Sequence, residues 1–215
     1  IIIGPTDPNT VYVGAIGSPW GEHPQRGVFK TKDGGQTWEK ILFVNNKTGV
    51  ADMVMDPTNP NKLIVAMWEH KRDPWFFNSG GAGSGLYMTH DGGTTWKQLT
   101  EKEGLPKGKL GRIGLAIAAG KPNIVYALVE AKKNALYKSE DGGFTWKKIN
   151  DGNDIGNRPF YYSDIFVDPE NENRVYSVFT YVNVSEDGGR SFKMLMPAYG
   201  VDNGVHPDHH AWWIH

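Results

Sequence analysis

The sequence contains no cysteine, which removes disulfide frameworks, thiolate metal sites and cysteine nucleophiles. Compartment stays open on that evidence, since cysteine-free secreted chains are common. No apolar run approaches the roughly 18 residues of a membrane-spanning helix, so no membrane span is expected in this segment. Excess positive charge is lacking too: 23 Lys and Arg face 24 Asp and Glu, a net charge of -1. So balanced a chain has no electrostatic footprint for non-specific nucleic-acid binding, and no nucleic-acid partner is expected. Helical periodicity of useful length is also missing. What the 215 residues do hold is 39% hydrophobic and 22% charged side chains, enough for a packed core and against disorder. The 27 Gly and 13 Pro, with 8 Trp, 9 Tyr and 9 Phe, favour many short strands joined by tight turns.

Four segments repeat. Thr31-Lys32-Asp33-Gly34-Gly35-Gln36-Thr37-Trp38 returns as Thr89 to Trp96, as Ser139 to Trp146, and as Ser185-Glu186-Asp187-Gly188-Gly189-Arg190-Ser191-Phe192. The aspartates Asp33, Asp91, Asp141 and Asp187 are spaced by 58, 50 and 46 residues. A second signal recurs out of phase: a Pro/Asn turn (Asp7-Pro8-Asn9, Asp56-Pro57-Thr58-Asn59, Lys121-Pro122-Asn123, Asp168-Pro169-Glu170-Asn171) precedes a Val/Tyr-rich run. Aligned on Tyr12, Ile64, Tyr126 and Tyr176, those runs are spaced by 52, 62 and 50 residues. Two interleaved motifs holding one period mark structural repeats.

Each repeat reads as four strands: a short apolar run before the Pro/Asn turn, the Val/Tyr run, an alternating run such as Gly85-Leu86-Tyr87-Met88-Thr89, and a strand opened by Thr-Trp. Units of this size and strand count predict an all-β chain of antiparallel β-propeller blades, about four of them, in units near 1–55, 56–117, 118–167 and 168–215. The Asp-Gly-Gly turn has a mechanical reading. The carboxylate accepts hydrogen bonds from amides further along its own turn, the glycines permit positive φ, and the Trp is large enough to pack between adjacent sheets. Asp33, Asp91, Asp141 and Asp187 are therefore expected to be structural, because a catalytic centre needs one asymmetric set and these recur in every unit.

The pattern Ser/Thr-x-Asp-x-Gly-x-Thr-Trp resembles the Asp box, or bacterial neuraminidase repeat, of sialidases, xyloglucanase-type glycoside hydrolases, the photosystem II assembly propeller and sortilin-type propellers. The resemblance spans the chain. It is closest to bacterial sortilin-like repeat proteins often labelled glycosyl hydrolases, through Arg26-Gly27-Val28-Phe29-Lys30-Thr31, Gly80 to Tyr87, Arg158-Pro159-Phe160-Tyr161-Tyr162 and His206 to Ile214. It implies more than four blades per propeller, so the chain is expected to be a fragment of a larger one.

Strand alternation separates two faces. The Pro/Asn and Asp-Gly-Gly turns share one and are repetitive. The segments 17–26, 70–84, 101–110, 151–160 and 197–209 share the other, vary in sequence, and are where recognition is expected. Trp68, Arg72, Trp75 and Phe76, in a run that also holds Glu69, His70 and Phe77, suit a sugar-stacking platform or a protein-docking surface; the same aromatics suit packing against neighbouring sheets. Trp20, Glu22 and His23 form a weaker version of that signal. In His206-Pro207-Asp208-His209-His210, an extended backbone puts His206, Asp208 and His210 on one side, a set able to bind a divalent metal or to form a hydrogen-bonded loop. No other cofactor is expected.

Resemblance supplies the enzymatic readings. Sialidase chemistry implies an arginine cluster and a tyrosine nucleophile, which Arg112, Arg158, Tyr161 and Tyr162 loosely resemble, but the Arg-Ile-Pro signature is absent. Xyloglucanase-type hydrolysis implies one aspartate from each of two propellers; the candidates are Asp164 and Asp208, although Asp52 shares the repeat position of Asp164. The expected function is a non-catalytic binding or assembly propeller of a secreted, periplasmic or cell-surface protein, holding a protein or peptide. The alternative is a glycoside hydrolase acting on a polysaccharide.

Overall fold

In a computed structural model the chain is all-β. The structure describes residues 1–156, 159–162, 164–197, 199, 204–207 and 209–214. Two compact units separate: Ile1–Thr100 with Lys107–Arg112, and Glu101–Pro106 with Ile113–His215.

The first unit holds two sheets. One has the order β1 (Ile2–Ile3), β2 (Val11–Ala15), β3 (Gly27–Thr31) and β4 (Glu39–Leu42). The other is β5 (Thr48–Asp56), β6 (Asn59–Arg72), β8 (Gly85–Thr89) and β9 (Lys97–Leu99), with β7 (Phe77–Ser79) paired to the far end of β6. The second unit repeats the plan with β10 (Ile113–Ile117), β11 (Val125–Val129), β12 (Ala135–Ser139) and β13 (Lys147–Asn150), then β14 (Asp164–Asp168), β15 (Asn171–Val178), β16 (Val182–Ser185) and β17 (Lys193–Met196). All pairs run antiparallel. Single 3₁₀ turns at Glu101–Glu103 and Asn153–Ile155 are the helical segments among the described residues.

Alternation along the strands fills the cores. In the first unit Tyr12, Val28, Leu42, Val50, Leu63, Val65 and Met67 form one apolar cluster, against which Ile41 and Trp96 pack. In the second, Ala116, Tyr126, Leu128, Leu136, Ile155, Ile165 and Val175 do the same.

The Asp-Gly-Gly turns share one hydrogen-bond pattern. Thr31 Oγ1 donates to Asp33 Oδ1 at 2.6 Å and accepts from the Gly35 amide at 2.9 Å. Asp33 in turn accepts from the Thr37 amide at 2.9 Å and the Thr37 hydroxyl at 2.5 Å. Ser139, Asp141, Gly143 and Thr145 repeat these bonds, as do Ser185, Asp187, Gly189 and Ser191. The first glycine of each turn donates its amide to the neighbouring Pro/Asn turn: Gly34 to Asn9 O, Gly92 to Asn61 O, Gly142 to Asn123 O and Gly188 to Asn173 O, at 2.8–3.0 Å. The two interleaved repeats are thus bonded partners at one end of every sheet.

Glycine at these positions also answers to the adjoining sheet. A Cβ on Gly92 would stand 3.1 Å from Lys30 Nζ and 3.3 Å from the Tyr12 hydroxyl, and one on Gly93 2.4 Å from Ile41. Both groups use the Gly92 carbonyl: Lys30 donates to it at 2.8 Å and Tyr12 at 3.3 Å. The second unit copies this seam with Tyr126 and Lys138 beside Gly188, Tyr126 donating to Glu172 O at 2.8 Å.

The fourth-strand tryptophans behave unequally. Each donates its indole N–H to its own turn's second glycine carbonyl, at 3.0–3.1 Å. Trp146 is buried, whereas Trp38 lies 45% exposed over Gly35. Packing between sheets is therefore not common to all of them.

The carboxyls of the turns sit below the ordinary range. Hydrogen bonds from Thr31 and Thr37 lower Asp33, and those from Thr95 and Thr89 lower Asp91. Burial pushes Asp187 up, but Ser191 and Ser185 outweigh it and hold the group at about 2. A depressed folded value stabilises the fold above the unfolded value of 3.8 and ceases to as pH falls through about 2. Denaturant midpoints should fall between pH 4 and 2, and less steeply in Asp187→Asn. Ser139→Ala, which strips the Gly143 amide and Asp141 of a buried partner, should cost about 1–3 kcal/mol in urea unfolding.

Candidate functional site

The segment from Trp68 to Ser84 is more ordered than a loop. Its residues alternate between buried and outward positions (Trp68 and His70 in, Glu69 and Lys71 out), so β6 continues to Arg72. Asp73-Pro74-Trp75-Phe76 then turns the chain, with the Asp73 amide donating to Phe76 O at 2.7 Å, and β7 returns in register with His70 opposite Ser79. In the sequence, 70–84 falls among the variable connecting segments, whereas the period-two alternation within it is the signal of the hairpin found here. The tip presents Trp75 at 80% exposure and Phe76 and Phe77 at 51% each. Trp68 points inward, buried, with its indole N–H on Ser79 Oγ at 2.9 Å.

Beside this hairpin lies a cleft of about 610 Å³, lined by Trp20, Glu22, Arg26, Lys47, His70 and Phe76 among others. Arg26 is its foundation. The side chain is only 1% exposed, yet among the described residues its guanidinium meets no carboxylate at bonding distance. Nη1 donates to Lys47 O at 2.8 Å and to His70 Nδ1 at 3.1 Å; Nη2 donates to Ser18 O at 2.5 Å and Gly21 O at 3.0 Å. One cation thereby joins the loop before β3, the β4–β5 connection and β6. Further backbone bonds close the rim, from Arg72 N to Pro19 O at 2.7 Å and from His23 N to Asn46 O at 2.8 Å.

His70 is buried and stacks on Trp68, ring centroids 4.3 Å apart at 15°. Arg112 lies 5.9 Å from the Trp68 ring. Burial pushes the His70 imidazole down to about 4, and the charges of Arg26 and Arg112 push the same way. The ring is neutral at pH 7, with Nδ1 as the acceptor from Arg26 and the proton on Nε2. Of the cleft's carboxylates, Glu69 Oε2 accepts from the Gly83 amide at 3.3 Å, and Glu22 faces Lys47 at 3.6 Å. Neither Arg26 nor Lys47 stands out in the sequence as a site residue: Arg26 is held mainly by backbone carbonyls, that of Lys47 among them, and carbonyls leave no mark on a sequence.

In the second unit, Tyr162 is buried and its ring lies 4.9 Å from His210; Tyr161 is partly buried at 6.1 Å from Tyr162. Asp164 opens β14, half-buried. His206 is exposed, its Nδ1 against Pro207 O. Arg158 and Asp208 lie outside the described residues, so the proposed Asp164–Asp208 pair and the His206, Asp208, His210 set have no described geometry. Among the described residues, no three His, Asp or Glu side chains gather as metal ligands.

No family model matches the chain, and no curated protein matches it significantly in sequence. Solved structures do match in fold. The GH74 enzyme of Niastella koreensis is 20% identical, with a TM-score of 0.62 over 88% of this chain and 29% of its own. The GH74 xyloglucanase of Xanthomonas campestris is 18% identical, with a TM-score of 0.59 over 90% of this chain and 29% of its own. These sheets are propeller blades. YCF48, solved bound to D1 peptide, is 15% identical, with a TM-score of 0.50 over 71% of this chain and 42% of its own. The chain thus spans less than a third of the length of the GH74 chains it resembles.

The His70 value carries a stability consequence. A folded value of about 4 lies below the ordinary 6.5, so the unfolded chain takes the proton more readily. Stability attributable to neutral His70 is complete above about pH 6.5 and is lost as pH falls towards 4. In urea unfolding, the advantage of wild type over His70→Gln should shrink by roughly 1–3 kcal/mol between pH 7 and 4.

Proposed function

We propose that this chain is part of a non-catalytic binding or assembly propeller, sortilin-like in use, from a secreted or cell-envelope protein. It holds a protein or peptide against the β6–β7 hairpin and the adjoining cleft of the first unit. The carrying observation is the placement of Trp75, Phe76 and Trp20, all more than half exposed, beside a cleft built on a buried arginine. Exposed aromatics on a regular hairpin lose little side-chain entropy on contact, which is what an interface hot spot requires. The engagement of Glu69 by Gly83 and of Glu22 by Lys47 favours recognition over acid/base chemistry here. A peptide-bound solved neighbour is compatible with that use.

The test is a binding screen of the purified protein against a peptide library, with xyloglucan and β-glucans in parallel. The double variant Trp75→Ala, Phe76→Ala should weaken peptide capture by about tenfold or more, without a change in denaturant midpoint. Turnover of xyloglucan that disappears in Asp164→Ala or Asp208→Ala would overturn the proposal in favour of polysaccharide hydrolysis.

A further inference from the structure

Trp20 stands on a short arch whose two feet, the carbonyls of Ser18 and Gly21, both rest on Arg26 Nη2. The other end of that guanidinium rests on Lys47 O and on His70 Nδ1. His70 Nδ1 has a second neighbour, the Trp68 carbonyl at 3.4 Å. Neutral, the atom accepts from Arg26. Carrying a proton, it has no lone pair to offer Arg26, and the Trp68 carbonyl becomes its natural acceptor. The ring is thus set between two mutually exclusive partners.

We propose that Arg26 and His70 form an acid-released clamp on the Trp20 arch: protonation of His70 at Nδ1 transfers its hydrogen bond from Arg26 to the Trp68 carbonyl and loosens residues 18–23 at the rim of the cleft. The surroundings favour release. The cations on the ring are Arg26, from the segment before β3, and Arg112, from the 107–112 segment. Lys47 of the β4–β5 connection and Lys71 of β6 line the same cleft, with Glu69 of β6 and Glu22 of the arch as its carboxylates. From β7 the neighbour opposite His70 is Ser79, an uncharged residue. An imidazolium 3.1 Å from the Arg26 guanidinium has no anion between them to offset the repulsion. The Nε of Arg26 already lacks a partner, so a loss at Nη1 leaves a buried cation held by carbonyls alone. The clamp does not depend on the cleft having an occupant.

Hydrogen exchange reads the clamp directly, at the two amides that close the rim: His23 on Asn46 O and Arg72 on Pro19 O. After correction for intrinsic rates, protection of both should fall about tenfold or more from pH 6.5 to pH 4, while Val65 in the core of the same unit, whose exchange follows unfolding of the unit, remains more protected than either at both pH values. In His70→Gln, whose side-chain carbonyl accepts from Arg26 without titrating, protection should stay constant across that range. Arg26→Lys should show the low protection already at pH 6.5 and no further fall. Equal protection at both pH values in the wild type, the same fall in His70→Gln, or full protection in Arg26→Lys would each overturn the proposal.

Discussion

In each repeat a carboxylate takes the amide and the hydroxyl of the residue four positions on, while the Ser or Thr hydroxyl before it caps the second glycine. This bond set closes the third and fourth strands into a hairpin whose shape is independent of the strands' side chains. Because the first glycine also donates to the Pro/Asn turn, all four strands of a sheet are tied at one end. Sheet-to-sheet packing follows, since Tyr12 and Lys30, or Tyr126 and Lys138, meet the next sheet at that same turn. Elsewhere in the sheets, burial of Val, Leu and Ile supplies the driving force without fixing geometry so narrowly.

The opposite ends of the sheets follow other rules. No repeated turn holds them, and in the first unit one arginine substitutes for it by gathering carbonyls from separate segments. A guanidinium suits this task because its donors radiate in a plane and it keeps its charge at any accessible pH. The result is a rim with exposed aromatics over a polar, buried base. Rigid support beneath exposed rings is a common arrangement for recognition.

The fold was legible where a motif is local. Asp33 to Trp38 announces a hairpin in six residues, and four copies announce four sheets. The alternation of Trp68 to Arg72 was also present in the sequence, but lay in a stretch whose aromatic and charged content suggested a loop. Trp75 and Phe76 were legible as surface candidates because they fall in a variable segment where aromatics mix with charges. Arg26 was not, since its partners are main-chain oxygens brought together only by tertiary structure, and Trp68 could not be told from Trp75 without knowing which way each faced. The metal and carboxylate candidates rest on Asp208, for which the structure describes nothing, and stay as the sequence reading left them.

The Tyr–Lys contact with the neighbouring glycine has an evolutionary corollary. The aromatic and the amine stand in the first sheet of each unit and the glycine they meet in the second, where Ile64 with Met88 and Tyr176 with Val184 occupy the corresponding positions, so the matched module that a gene duplication would copy is the pair of sheets. Arg26 has no such counterpart in the three other repeats, where Ser84, Asn134 and Tyr181 precede the third strand. Its cleft is therefore an individual acquisition laid over a copied scaffold.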